Sequence, residues 1–200
     1  MKRFTLLSIF LTLSIFKFAS AGTCVNNTDA IDVATYAAQS IVSITLSRIA
    51  PHAQDEKMEQ LLVECVDVTK VSKRVLGRAK WEELSKEQQA NFLKEYPRYF
   101  FSTFKDIIIS SLSGTSSVTV KPTSIKNVYE ATFINGKEPI KINLTLEQKD
   151  GFYKITDGAY NNVSVVDTQR NSFDMMYEKD KNAIKNFKAE KKIQKKYIFC

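Results

Sequence analysis

Side chains able to do covalent or acid–base chemistry are few in this chain. His52 is its one histidine, which leaves no material for a two-histidine catalytic pair or a multi-histidine metal site. Carboxylates are plentiful, but Glu82-Glu83 and Asp55-Glu56 are sequence neighbours, and neighbours on a helix point to different faces. The three cysteines are Cys24, Cys65 and Cys200. Cys24 and Cys65 could bridge the N-terminal stretch to a helix, or Cys65 could be a core hydrophobe at helical spacing, and the packing reading is preferred. Cys200 has no nearby histidine to activate it. The serine-elbow, zincin, paired-cysteine, phosphate-loop and dinucleotide-glycine patterns are all missing. The residues therefore point to a non-enzymatic protein without cofactor or metal.

The beginning of the chain carries an export signal. Met1-Lys2-Arg3 is basic, Phe4 to Phe16 is apolar with only Thr and Ser interruptions, and Ala19-Ser20-Ala21 supplies the small residues that signal peptidase requires. Thirteen helical residues rise about 20 Å, short of the ~30 Å hydrocarbon core, so residues 1–21 read as a cleaved signal peptide rather than an anchor. Its removal deletes Lys2, Arg3 and Lys17 and no acid, taking the formal net charge from +7 to +4. What remains, residues 22–200, fits one domain; at 44% apolar and 26% charged the chain is neither disordered nor a small disulfide-stapled scaffold. Nucleic acid is not an expected partner, because the aromatics cluster on one helix while most lysines of the tail lie elsewhere.

Hydrophobic spacing defines the elements that must position any site. Ile31, Ala34, Ala38, Ile41, Val42 and Ile49 recur at helical period from Thr28 to about Ile49, with Thr28 or Asp29 as N-cap and Pro51 as terminator. Met58, Leu61, Leu62 and Cys65 make a second amphipathic stripe. Asp67 caps a short third helix through Val68, Val71 and Val75, ended by Gly77. Ser85-Lys-Glu-Gln88 is a capping box that opens a long helix to about Leu112. Phe92, Tyr96, Phe100, Phe104 and Ile107/Ile108 line one face of it, and Pro97, inside the pattern, is expected to kink it. After Gly114 the period changes to two. Strands are expected at Val118–Val120, Val128–Ile134 and Ile140–Leu146, with a fourth from Phe152 towards Val166 and turns at Asn135-Gly136 and Lys149-Asp150-Gly151. A lysine-rich amphipathic helix is expected over about 180–197. The class is α+β, helices before an antiparallel sheet.

Two segments together resemble the MlaC family, also called the toluene-tolerance auxiliary family. One is Val75-Leu76-Gly77-Arg78, Trp81, Ser85-Lys-Glu-Gln-Gln89 and the aromatics from Phe92 to Phe104. The other is Gly151-Phe-Tyr-Lys-Ile-Thr-Asp157, then Val163-Ser164-Val-Val and Gln169-Arg-Asn-Ser-Phe173. The departures are Asn161-Asn162 where the family shows Glu-Gly, Tyr153 where it shows Trp and Thr156 where it shows Tyr.

The resemblance implies N-terminal helices wrapped around a curved four-stranded antiparallel sheet with a C-terminal helix, enclosing an apolar cavity. It also implies a periplasmic protein whose cargo is a glycerophospholipid. The implied partners are an inner-membrane MCE-type ABC transporter complex and an outer-membrane lipoprotein–porin complex. Candidates for the lipid lining are Val71, Val75, Phe100, Phe104, Ile107, Ile108, Tyr129, Phe133, Ile142, Leu144 and Val163. The alternative is an exported adaptor whose core is fully packed.

Overall fold

A computed structural model of the chain describes residues 23–136 and 138–189. The signal peptide expected over residues 1–21 and Cys200 lie outside them. The elements run α1 Ala30–Leu46, α2 Pro51–Cys65, α3 Val68–Leu76, α4 Arg78–Glu82 and α5 Lys86–Leu112. After these come β1 Ser117–Pro122, β2 Val128–Ile134, β3 Ile140–Lys149, β4 Phe152–Tyr160, β5 Val163–Ser164, α6 Val165–Lys179 and α7 Asn182–Lys185.

Local signals account for most of these boundaries. The Asp29 side chain caps α1 by accepting from the amides of Ile31 and Asp32. Pro51 does not end α1: that helix stops at Leu46, where Ser47 Oγ and Gln54 Nε2 both donate to the Ile44 carbonyl. Pro51 instead opens α2 from its first turn, where a missing N–H costs nothing. Asp67 and Gly77 bracket α3, and the reciprocal Ser85–Gln88 bonds open α5. The helix α5 continues through Pro97 without interruption.

The sheet is an antiparallel meander in the order β1-β2-β3-β4-β5, five strands where the sequence suggests four. Asp150-Gly151 joins β3 to β4 with both residues at positive φ, the conformation a two-residue hairpin requires. The strand β4 does not run on to Val166. It stops at Tyr160, Asn161 and Asn162 make a second positive-φ turn, and only Val163 and Ser164 pair back as β5. The departure Asn161-Asn162 thus sits where asparagine tolerates left-handed backbone better than other residues bearing a Cβ. A register shift at Thr145/Leu146 is a bulge that bends β3 and β4 together.

Two features differ from expectation for reasons of tertiary context. The helix α6, capped by Ser164 and starting with Val165-Val166, has no clean apolar period, because Gln169 stands on its buried stripe between Val166 and Phe173. Of the span 180–197, only Asn182–Lys185 is helical among the described residues; Ile184 and Phe187 turn inward to join the core.

Burial is organised in three clusters. One gathers Val71, Val75, Trp81, Phe92, Tyr96, Phe173 and Phe187 between α3, α5, α6 and α7. The second holds α1 and α2 against Phe101, Leu146 and Ile155, and the third joins Ala38 and Leu112 to Ala131 and Phe133 of the sheet. The buried face of α1 is largely alanine, at Ala30, Ala34, Ala37 and Ala38, which lets that helix lie close on the sheet.

Cys24 and Cys65 are joined in a disulfide, contrary to the preference for Cys65 as a packing residue alone. Both are buried in the second cluster, so the thiol spacing that suited a core also suited a bridge.

Candidate functional site

Strand register gathers one set of apolar side chains on the helix-facing side of the sheet. Val118 and Val120 of β1 stand opposite Phe133 and Ala131 of β2, whose partners on β3 are Ile140 and Ile142; Tyr129 stands opposite Leu144. On β4 the residue opposite Leu144 is Gly158, where an added Cβ would touch Leu144 Cδ2 at 3.9 Å. Ala131 and Gly158 are the small residues of that face, set among larger neighbours. Packed with that face are Phe101, Ile108 and Leu112 of α5 together with Tyr36 and Ile41 of α1.

The eleven candidate lining residues divide by position. Phe104, Ile108, Tyr129, Ile142 and Leu144 are half-buried, the state of side chains that pack on one side and leave the other free. Phe100 is half-buried as well and links the ring row, 6.2 Å from Tyr96 and 5.1 Å from Phe104 between centroids. Val71, Val75 and Phe133 are buried inside closely packed clusters. Ile107 and Val163 lie at the surface, 41% and 60% exposed. Val71 and Val75 belong to the α3–α5–α6 cluster, apart from the sheet set. The Tyr129 hydroxyl is pushed above its ordinary range, first by burial and then by the neighbouring Tyr153 and Asp29.

Polar side chains fix the elements around this interior. Arg74 of α3 donates to the Thr156 carbonyl at 3.1 Å and to the Asp157 carboxylate at 3.2 Å. Asp157 also accepts from the Ser164 hydroxyl at 2.7 Å and the Val166 amide at 3.3 Å, so one carboxylate ties α3, β4 and the start of α6. Lys70 bonds Glu147, which accepts in turn from Thr156 Oγ1 at 3.2 Å. The Lys70 hydrogen bond, ahead of its charge, holds the Glu147 carboxyl below the usual carboxylate range. In the aromatic cluster the Tyr96 hydroxyl donates to Gln169 Oε1 at 2.7 Å, and burial pushes that phenol well above its ordinary value. Lys154 donates to the Cys24 carbonyl at 3.0 Å and to that of Glu64, clamping the backbone beside the disulfide. None of these ties was read from the sequence, although Asp157 and Gln169 stand in the segments that carry the resemblance.

Outside the apolar interior, α3, α4, α6 and the β3–β4 end surround an open cleft of about 720 Å³. Lysine and arginine side chains dominate its rim and Trp81 lies at its floor. Among the described residues no group of three or more His, Cys, Asp or Glu could hold a metal ion, and no helix is long and apolar enough to cross a membrane.

The arrangement uses its polar groups as ties between elements. What it offers is apolar surface between a curved sheet and an aromatic helix. No curated protein matches the chain. Among solved structures, a phospholipid-binding protein from Ralstonia solanacearum, determined in complex with a phospholipid, is similar over 76% of this chain and 88% of its own, at 19% identity and a TM-score of 0.63. At that identity the likeness speaks for the fold. The sequence model for the MlaC protein family matches residues 37–188, from the middle of α1 to beyond α7, and by that match the chain belongs to the MlaC family.

Proposed function

We propose that this protein binds a glycerophospholipid and carries it through the periplasm, between an outer-membrane lipoprotein–porin complex and an inner-membrane MCE-type ABC transporter. The observation that carries the reading is the half-buried apolar set of Ile108 from α5 and Tyr129, Ile142 and Leu144 from the sheet, packed against the same buried clusters in a member of the MlaC family. The phospholipid held by the Ralstonia protein of similar fold supports it. Residues 1–21 are the export signal of this reading.

An acyl chain needs a dry enclosure, each buried methylene being worth about 0.8 kcal/mol relative to water. The bilayer solvates the same chain almost equally well, so transfer between membrane and carrier is nearly neutral. Direction then comes from partners that bind the loaded or the empty state better, or from ATP hydrolysis in the transporter. The carrier itself performs no bond chemistry. In this reading the small residues Ala131 and Gly158 give an acyl chain its room on the sheet, on the side where Phe101 of α5 packs.

Native mass spectrometry of the mature protein, purified from a periplasmic extract without detergent, tests this. The expected spectrum carries the added mass of a phospholipid that is released on denaturation. Leu144→Asp places a charge on the sheet face and is expected to abolish the added mass while the circular dichroism stays that of a folded protein. An empty wild-type protein that also takes no lipid from vesicles would leave the adaptor with a packed core as the better reading.

A further inference from the structure

The cleft outside the apolar interior has an unbalanced charge ledger. Six cationic side chains line it: Lys70, Lys73, Arg74, Arg78, Lys149 and Arg170. Four are matched one to one. Lys70 is paired with Glu147, Arg74 with Asp157 at 3.2 Å, Arg78 with Glu82 at 2.8 Å and Lys149 with Asp67 at 3.0 Å; the exposed Asp167 approaches Arg74 at 3.9 Å. Lys73 and Arg170 have no carboxylate within 4.0 Å among the described residues.

These two cations are held at the same short turn. The Lys73 Nζ sits 5.8 Å from the centroid of the Trp81 ring. The Arg170 guanidinium reaches over from α6 to Gly77, where an added Cβ would meet its Nη2 at 3.4 Å. Gly77 and Trp81 are themselves joined by the Trp81 amide donating to the Gly77 carbonyl at 3.1 Å. At φ +74 the Gly77 backbone suits glycine, and the bare Cα also lets the guanidinium lie against the chain. A planar arginine fork and a lysine amine, both without a carboxylate partner among the described residues and both lining the cleft, are the kinds of donor that a tetrahedral oxyanion recognises.

We infer that the α3–α4–α6 cleft binds a phosphate monoester group, with Lys73 and Arg170 as its principal ligands and Trp81 beneath it. A phosphomonoester carries about −1.5 to −2 charge at neutral pH, which is the charge the two unmatched cations leave open. The group could belong to a soluble phosphate or to the headgroup of a phosphatidic acid. The site stands whether or not the apolar interior carries lipid, because no residue of the sheet-facing row lines the cleft.

Trp81 is the one tryptophan of the chain, so intrinsic fluorescence reports on the cleft directly. Inorganic phosphate and glycerol 3-phosphate are titrated in low-salt HEPES against sodium chloride at matched ionic strength. Vesicles of phosphatidylcholine with and without phosphatidic acid are tested in parallel by co-sedimentation. Saturable change with either soluble anion supports the site with a soluble source. Binding that requires phosphatidic acid, with both soluble anions silent, supports it with a lipid source. In either case Arg170→Gln and Lys73→Gln are each expected to weaken binding about 10-fold or more, the worth of a charge-assisted hydrogen bond, while Lys121→Gln on β1 leaves it unchanged. A response no larger than that of sodium chloride with no phosphatidic acid dependence, or full binding by a folded Arg170→Gln variant, would overturn the assignment.

Discussion

Glu147 shows how a single side chain couples stability to acidity here. Its carboxylate accepts from Lys70 of α3 and from Thr156 of β4, and the first of these holds its titration below the ordinary range. A carboxyl depressed on folding contributes stability that is fully present above its unfolded value of about 4.3 and is lost as pH falls through the folded value. Glu147→Gln is therefore expected to lower the urea midpoint at pH 7 and to match the wild type near pH 3; a constant difference across that range would contradict the assignment. Tyr96 makes the opposite case, a neutral donor buried with Gln169 as its acceptor. Tyr96→Phe removes the hydroxyl and strands the amide oxygen, at a cost of about 1–3 kcal/mol in urea unfolding. A variant within a few tenths of the wild type would mean that Gln169 finds another donor.

The elements differ in how much of their placement local residues dictate. Cys24 and Cys65 tie the chain ahead of α1 to the end of α2 across 41 residues, and Lys154 grips the Cys24 and Glu64 carbonyls beside them. Opening the bridge by Cys24→Ala with Cys65→Ala is expected to cost about 2–4 kcal/mol, read as a lower denaturation midpoint that no longer responds to reductant. Helices with their own punctuation were legible: Asp67 and Gly77 around α3, and the Ser85–Gln88 box before α5, lie where the residues place them. So were β2 and β3, whose alternation is clean. The helix α6 was not, because its buried stripe runs through Gln169, which is acceptable only once Tyr96 supplies a donor from another helix. The bridge was hidden for a related reason, since a buried half-cystine and a buried thiol look alike in a periodic pattern. At the site, the sheet-facing members of the lining set follow from period two, and their shared face is set by register. Lys73 at Trp81 and Arg170 beside Gly77, 97 positions apart in sequence, come to one cleft through packing of α6 on α3, which no spacing rule reveals.

At the scale of the whole molecule, two kinds of interior sit side by side. The cluster around Phe92, Phe173 and Phe187 is closely packed, whereas the sheet side keeps half-buried aromatics and aliphatics around Ala131 and Gly158. A ligand held only by the folded state raises the midpoint of unfolding by mass action. Delipidation is accordingly expected to lower the melting temperature of wild type and to leave that of Leu144→Asp where it is, measured by calorimetry on both.

The meander order has one more effect. An open five-stranded sheet has two borders, and both are blunted. On one side β5 is only two residues long and passes directly into a helix; on the other, β1 ends in Lys121-Pro122, a charge and a residue without an amide hydrogen. The β4 backbone beyond β5 is engaged in part by the segments ahead of α1 and after α2, through the Tyr153 amide donating to the Asn27 carbonyl and the Asp67 amide donating to the Ile155 carbonyl, and β1 offers a second chain six residues at most. A protein that keeps greasy side chains within reach of solvent is thereby guarded against strand exchange and fibrillar association, so that crowding near a membrane does not turn its sheet into a template.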